Sequence, residues 1–216
     1  MKKLLTYRNI IWPIFIIVIL GCKDVKTNRH SSGENEVDSS IHKEAEIKVD
    51  YSKMGMSYMT STQAVLGKNL IGALEKKGPA GAVAFCNTQA IKLTDSMAQN
   101  HNVIIKRITD KPRNPNNKVN EEQLRYLRSY EGNQDPADSF DPIVVRKKKE
   151  VNFYYPIVTN AMCLQCHGIP NEQIQPETLE VLQDLYPDDL AQGYQMNAIR
   201  GLWYIQFIDE VKGPGL

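Results

Sequence analysis

The chain has 216 residues, 26 basic and 25 acidic side chains and a formal net charge of +1, a length suited to one soluble domain with extensions. With no cationic excess to neutralise phosphates, nucleic acid is not expected as a partner. The local run Arg146-Lys147-Lys148-Lys149 reads as a solvated hairpin tip.

The first segment, residues 1–21, reads as a lipoprotein signal peptide. Lys2, Lys3 and Arg8 form a positive start, and the apolar run Ile10 to Leu20 is too short, and interrupted by Pro13, to span a bilayer as a stable helix. Ile19-Leu20-Gly21-Cys22 resembles a bacterial lipobox, in which Cys22 is acylated and becomes the first mature residue. This predicts an exported protein, lipid-anchored to a bacterial membrane and facing the periplasm or cell exterior. Several acyl chains anchor stably where one holds only marginally. Residues 22–48 are rich in Ser, Asn, Glu, Asp and Lys and cannot build a core, so they read as a flexible lipidated tether. Its coil dimensions, roughly 5–6 Å times the square root of its length, put the domain roughly 25–30 Å from the membrane surface.

Residues 49–216 are expected to be the folded domain, packed from about Val49 to Val211. Met56, Met59, Leu66, Leu70, Ala73 and Leu74 recur at helical spacing. Gly78-Pro79 breaks that helix, and Pro79 is suited to open a second one. On the second helix Ala82, Cys86, Ala90, Leu93 and Met97 make one inward stripe. Val103 to Thr109 reads as a strand and Asp110 to Lys118 as a Pro/Asn-rich loop. Asn120 and Gln123 form a capping pair ahead of a short helix through Tyr130. Ile143–Lys147 and Val151–Thr159 predict a hairpin, Pro176–Leu185 a helix, and Ile199–Ile208 a last strand. Helices mixed with antiparallel strands in this way predict an α+β domain.

Between the hairpin and the last helix lies Cys163-Leu164-Gln165-Cys166-His167. Covalent haem attachment needs two thiols that reach the porphyrin vinyl groups and an imidazole that meets the iron, all within about one helical turn. With 4 Cys and 4 His in the chain, a chance match is on the order of one in a thousand. Thiol–disulfide exchange also uses Cys-x-x-Cys, but it needs no histidine after the second cysteine and goes with a thioredoxin-like βαβ pattern absent here. Zinc would want a second ligand pair. The expected cofactor is therefore haem c, one per chain, with His167 on the iron.

For the sixth iron position the residues alone leave Cys86, the six methionines after Met1, and His30, His42 and His101. His30 and His42 fall in the tether, and His101 closes a helix where a capping imidazole is the ordinary reading. Met54, Met56 and Met59 read as helix packing. Cys86 alone would be a small buried core residue.

The order of motifs resembles a known family. Cys86 is followed by Arg107, by Lys111-Pro112-Arg113-Asn114-Pro115 with Asn117, and by Tyr155-Pro156. Then come Cys163-Leu164-Gln165-Cys166-His167-Gly168, Tyr186-Pro187-Asp188-Asp189, Ala191 with Gly193-Tyr194, and Arg200-Gly201. This series is similar to that of the PAS-like c-type haem domains of cyanobacterial and other bacterial exported proteins, also found as sensor modules of histidine kinases. One departure is Asn197-Ala198, where the family is expected to carry a glycine and an acidic residue. The resemblance implies a PAS-like antiparallel sheet flanked by helices, one covalently bound haem, and Cys86 as the axial thiolate opposite His167. Haem propionates are anions that need partners when buried; the candidates are Arg107, Lys111, Arg113 and Arg200, with Tyr155 as a hydrogen-bond donor. Trp203 and Phe153 fit either macrocycle packing or an ordinary core.

A thiolate ligand favours ferric iron and lowers the reduction potential. The expected function is thus that of a membrane-anchored single-haem cytochrome acting in redox or diatomic-gas sensing, with CO or NO as ligands of the reduced form, or in electron transfer to a redox partner. No transmitter helix or kinase sequence follows the domain, so sensing is expected to pass through a partner protein. An enzyme is not expected. The alternatives are a peroxidase-like haem enzyme, for which no distal acid–base pair beyond His101 is visible, and a haem-free thiol–disulfide oxidoreductase.

Overall fold

The structure is a computed structural model and describes residues 49–132 and 140–208. The signal segment, Cys22, the tether, His30 and His42 lie outside the described residues. Among those described, no helix is long and apolar enough to cross a membrane.

Helix α1, Tyr51–His101, is one run with a break at Gly78. Gly78 has φ 64°, a left-handed conformation open to glycine at no steric cost, and Pro79 then starts the second limb. Asp50 caps the first limb by accepting from the Lys53 amide, and left-handed Asn102 closes the second with amide bonds to Ala98 and Gln99. The limbs fold back on each other. His101 stacks on Tyr58 with ring centroids 4.0 Å apart, and its Nε2 lies 3.2 Å from Ser61 Oγ. His101 is thus a clasp between limbs, while the capping falls to its neighbour.

The sheet is antiparallel, in the order β1 (Ile104–Ile108), β4 (Ile199–Ile208), β3 (Glu150–Val158), β2 (Ile143–Arg146). Alternation along the strands sends Ile105, Val151, Phe153, Trp203, Ile205 and Phe207 to the α1 face, where they pack with Met59. Met54 and Met56 cover this cluster, so the expected methionine packing is what the fold uses. Helix and sheet approach closely: a side chain at Gly55 would run into the Phe153 ring. The other face carries Ile108, Tyr154 and Leu202 against Leu127 and Tyr130 of α2, Glu121–Gly132. Asn120 and Gln123 exchange the reciprocal capping bonds expected of them, at 3.0 and 2.9 Å. Phe153 and Trp203 both belong to the dry core under α1.

Two short helices complete the α1 side: α3, Ala161–His167, and α4, Pro176–Leu185. Leu182 and Ile174 pack on Val83 of the second α1 limb, with Cys166 at the edge of that cluster. The loop at 110–118 contains a 3₁₀ turn, Pro115–Asn117, capped by Asn114. The architecture is α+β, as expected.

The pairing of β3 with β4 slips at one point. Ile157 pairs with Gly201 but Val158 pairs with Ile199, which leaves Arg200 opposite nothing: a β-bulge. Ile199 and Leu202 both join the α2-side core, so the extra residue is turned to the other face. Gly201 follows it where a Cβ would collide with the Ile108 carbonyl. The Arg200 carbonyl accepts from Thr109 Oγ1 at 2.7 Å and Tyr194 Oη at 3.3 Å, which pins the bulge.

Candidate functional site

Helix α3 begins where Asn160 caps it, its Oδ1 accepting from the Cys163 amide at 3.1 Å and from the Cys163 thiol at 3.2 Å. One turn later come Cys166 and His167, and Gly168 ends the helix with its amide on the Leu164 carbonyl. Met162, Cys163, Cys166 and His167 line one cleft, with an atom-free volume of about 1260 Å³ counted out to the solvent. Helix α1 also lines it: Leu70 and Leu74 from the first limb, Ala82, Val83, Cys86, Ala90 and Ile91 from the second. The sheet supplies Arg107, Ile157 and Arg200, and the 110–118 loop Arg113, Asn114 and Asn117. The walls are largely apolar with a few convergent polar groups, the usual form of a cofactor site.

His167 is fixed by its Nδ1, 2.7 Å from the Ala191 carbonyl. A carbonyl only accepts, so Nδ1 carries the proton and Nε2 presents a lone pair. Burial, with Arg200 and Arg113 nearby, holds its pKa well below the ordinary histidine value, so the ring is neutral and able to ligate. Burial also raises the Cys86 thiol, against the pull of Arg107, Arg113 and Arg200. Cys166 is pushed up to about 11, chiefly by burial. All three described cysteines are free thiols.

The three arginines differ. Arg113 donates from Nη2 to the Cys166 carbonyl at 2.6 Å and from Nε to Asp189 at 3.1 Å. Arg107 and Arg200 have no ion-pair partner among the described residues, and Arg200 Nε is buried without a hydrogen bond. Burial lowers the Arg200 pKa to about 10 and lowers that of Arg107 as well. Two cations with nothing opposite them, in a cleft with an imidazole and three thiols, call for an anionic ligand.

Of the residues singled out in the sequence, Cys86, Arg107, Arg113, Cys163, Cys166, His167 and Arg200 therefore converge on one cleft. Lys111 and Tyr155 do not line it. Lys111 is exposed, with Nζ 5.4 Å from the centre of the Tyr194 ring, and Tyr155 packs on the core under α1. Met162 is the lining residue that sequence reasoning misses, its place beside Cys163 being the one signal, whereas Asp189 and Ala191 stand among the motif residues without a role. The departure at Asn197-Ala198 has a backbone explanation. Asn197 has φ 60°, a conformation glycine adopts freely and asparagine tolerates. Ala198 packs beside Leu164, Ala191 and Tyr194, where a carboxylate would meet an apolar surface.

A family described as Tll0287-like matches residues 34–207, nearly all of the domain. The chain belongs to the Tll0287-like family. Among solved structures, the crystal structure of the cyanobacterial heme-protein Tll0287 matches with a TM-score of 0.54 and 20% identity, covering 77% of this chain and 100% of that one. No curated protein matches. The Tll0287-like membership agrees with the resemblance carried by the motifs, and the structural match extends that agreement to the fold.

Proposed function

We propose that this chain is a single-haem c-type cytochrome of a lipid-anchored, exported protein. Cys163 and Cys166 would carry the two thioether links, with His167 and Cys86 on the iron and Cys22 on the membrane anchor. The observation that carries the reading is the cleft itself: Cys86, the Cys163–His167 turn, Arg107 and Arg200 all line it, and neither arginine has an ion-pair partner among the described residues. The fit is chemical as well as spatial. His167 offers a neutral Nε2, and the two free guanidiniums match the two propionates of a haem. When bound, such a group supplies one-electron exchange. The protein would bind and orient it, with Leu70, Leu74, Ala82, Val83 and Ile157 as apolar walls that exclude water and Arg107 and Arg200 to offset its charge.

If His167 and Cys86 both hold the iron, the reading is of an electron-exchange or sensing protein rather than an enzyme. One observation favours sensing: among the described residues no hydrogen bond holds the Cys86 sulfur, so the Cys86 side is where CO or NO would enter once that ligand leaves. Electron transfer to a partner protein is the second reading.

The test is a haem stain on a denaturing gel and an intact mass of the matured protein, followed by absorption and paramagnetic resonance of wild type and Cys86→Ser. A covalent haem and a low-spin thiolate signature abolished by the substitution are expected. A colourless protein with only lipid added to its mass overturns the reading, and an unchanged Cys86→Ser spectrum removes Cys86 from the iron. Carbon monoxide binding by the reduced protein is expected of a sensor; rapid reversible oxidation with no carbon monoxide uptake points to a carrier.

A further inference from the structure

We propose that Arg113 and Asp189 are positioning residues for His167. The inference rests on the haem reading and assigns the device that aims the ligand. The bonds form a closed circuit. Arg113 Nη2 donates to the Cys166 carbonyl at 2.6 Å, and the same guanidinium pairs with Asp189 Oδ2 at 2.9 Å. The other Asp189 oxygen accepts from the Ala191 amide at 2.8 Å. The Ala191 carbonyl takes the His167 Nδ1 proton at 2.7 Å, and His167 is the chain neighbour of Cys166. Four interactions thus join residues from three separate segments into one ring around the imidazole.

The circuit is built for rigidity. Its ion pair is nearly dry, with the Asp189 side chain 3% exposed and that of Arg113 13% exposed. Desolvation can cancel the attraction of such a buried pair, so its presence alone does not argue for stability. Here each partner has a second bond, and both second bonds end on the Cys166–Ala191 frame. Three backbone bonds brace the frame: Gly193 amide to Gly168 carbonyl at 2.8 Å, Tyr194 amide to His167 carbonyl at 3.0 Å, and Leu190 amide to Pro112 carbonyl at 3.1 Å. Metal-bound histidines are commonly oriented through the proton on their other nitrogen, and loss of such support costs about 10–100-fold in affinity. Asp189 does not touch the ring. It holds Ala191, whose carbonyl fixes both the tautomer and the angle at which Nε2 enters the cleft. Arg113 sets the distance between that carbonyl and the attachment turn.

The experiment uses the full-length, haem-loaded protein and the variants Asp189→Asn, Asp189→Glu and Arg113→Lys. Displacement of His167 by added isotope-labelled imidazole is followed by paramagnetic resonance, as loss of the iron's coupling to the unlabelled nitrogen of the protein, and global stability by denaturant titration. The Asn variant is expected to keep its covalent haem and to exchange His167 at about 10–100-fold lower imidazole. Arg113→Lys should move the same way by less, because an ammonium cannot span both partners. Asp189→Glu should recover part of the wild-type resistance. Exchange unchanged within twofold in both Asp189→Asn and Arg113→Lys overturns the proposal. So does a change in exchange that only tracks the denaturant midpoint, since that marks general support of the fold. If Asp189→Asn does not accumulate, the Glu and Lys variants carry the same decision. A wild-type protein without haem overturns the haem reading and this one together, whereas loaded variants that behave as wild type overturn this one alone.

Discussion

The two walls of the cleft hold their candidate ligands in opposite ways. His167 sits in a mesh of hydrogen bonds that ties α3 to the 189–194 segment and to Arg113. Cys86 sits on a helical limb that begins at a glycine break, and among the described residues no hydrogen bond reaches its sulfur. Directional bonds fix one side, and the helical backbone of α1 positions the other. Packing sets where a side chain rests but costs little to leave by a small rotation, whereas a network must break several bonds at once. Such a contrast suits a site with one permanent and one replaceable ligand.

Substitutions at the two candidate ligands press that contrast hardest. His167→Ala is expected to lower the yield of covalently loaded protein at least about tenfold, since the fixed wall loses the group it is built around. Cys86→Ser should leave the yield near wild type, and a haem stain of matched extracts compares the two. Equal losses would show that the walls are equivalent and break the contrast. Gly55→Ala, remote from both ligands, forces the Phe153 ring aside and should cost about 1–3 kcal/mol of stability. Denaturant titration reads that loss, and the iron spectrum should not move; a spectral change would mean that the core under α1 also positions the cleft. Gly78→Ala puts a Cβ on a residue with φ 64° and should cost about 1–2 kcal/mol, lowering Tm by roughly 2–4 °C per kcal/mol. It should loosen the Cys86 limb alone, so a rise in thiolate-free species with unchanged imidazole resistance at His167 would sharpen the comparison.

The parts of this protein written locally were legible in the sequence. The Cys163–His167 turn is a contiguous motif that forms one short helix, the Asn120–Gln123 cap is a three-residue relation, and Ile199–Ile208 alternates and ends as it should. Gly78-Pro79 marks the break in the sequence itself, and the structure adds that the limbs close on each other through His101 and Tyr58. What remained hidden depends on partners distant in the chain. Arg113 and Asp189 are 76 positions apart, and no local pattern pairs them. The inward turn of Arg200 follows from a slip in its pairing with β3, which β4 alone does not encode. Lys111 and Tyr155 show the reverse: their residue types suited an anion, but strand parity and loop course take them elsewhere. The segments carrying Cys22 and the tether rest on sequence alone.

The slipped pairing at Arg200 is absorbed within a single step. The strand from Leu202 to Ile208 therefore resumes strict in-and-out order, and both faces of the sheet pack as though nothing had been inserted. The electrical character of the cleft is thereby uncoupled from the hydrophobic code of the strand that forms its floor. A substitution at Arg200 would therefore change the charge that lines the cleft without redesigning the layer beneath it.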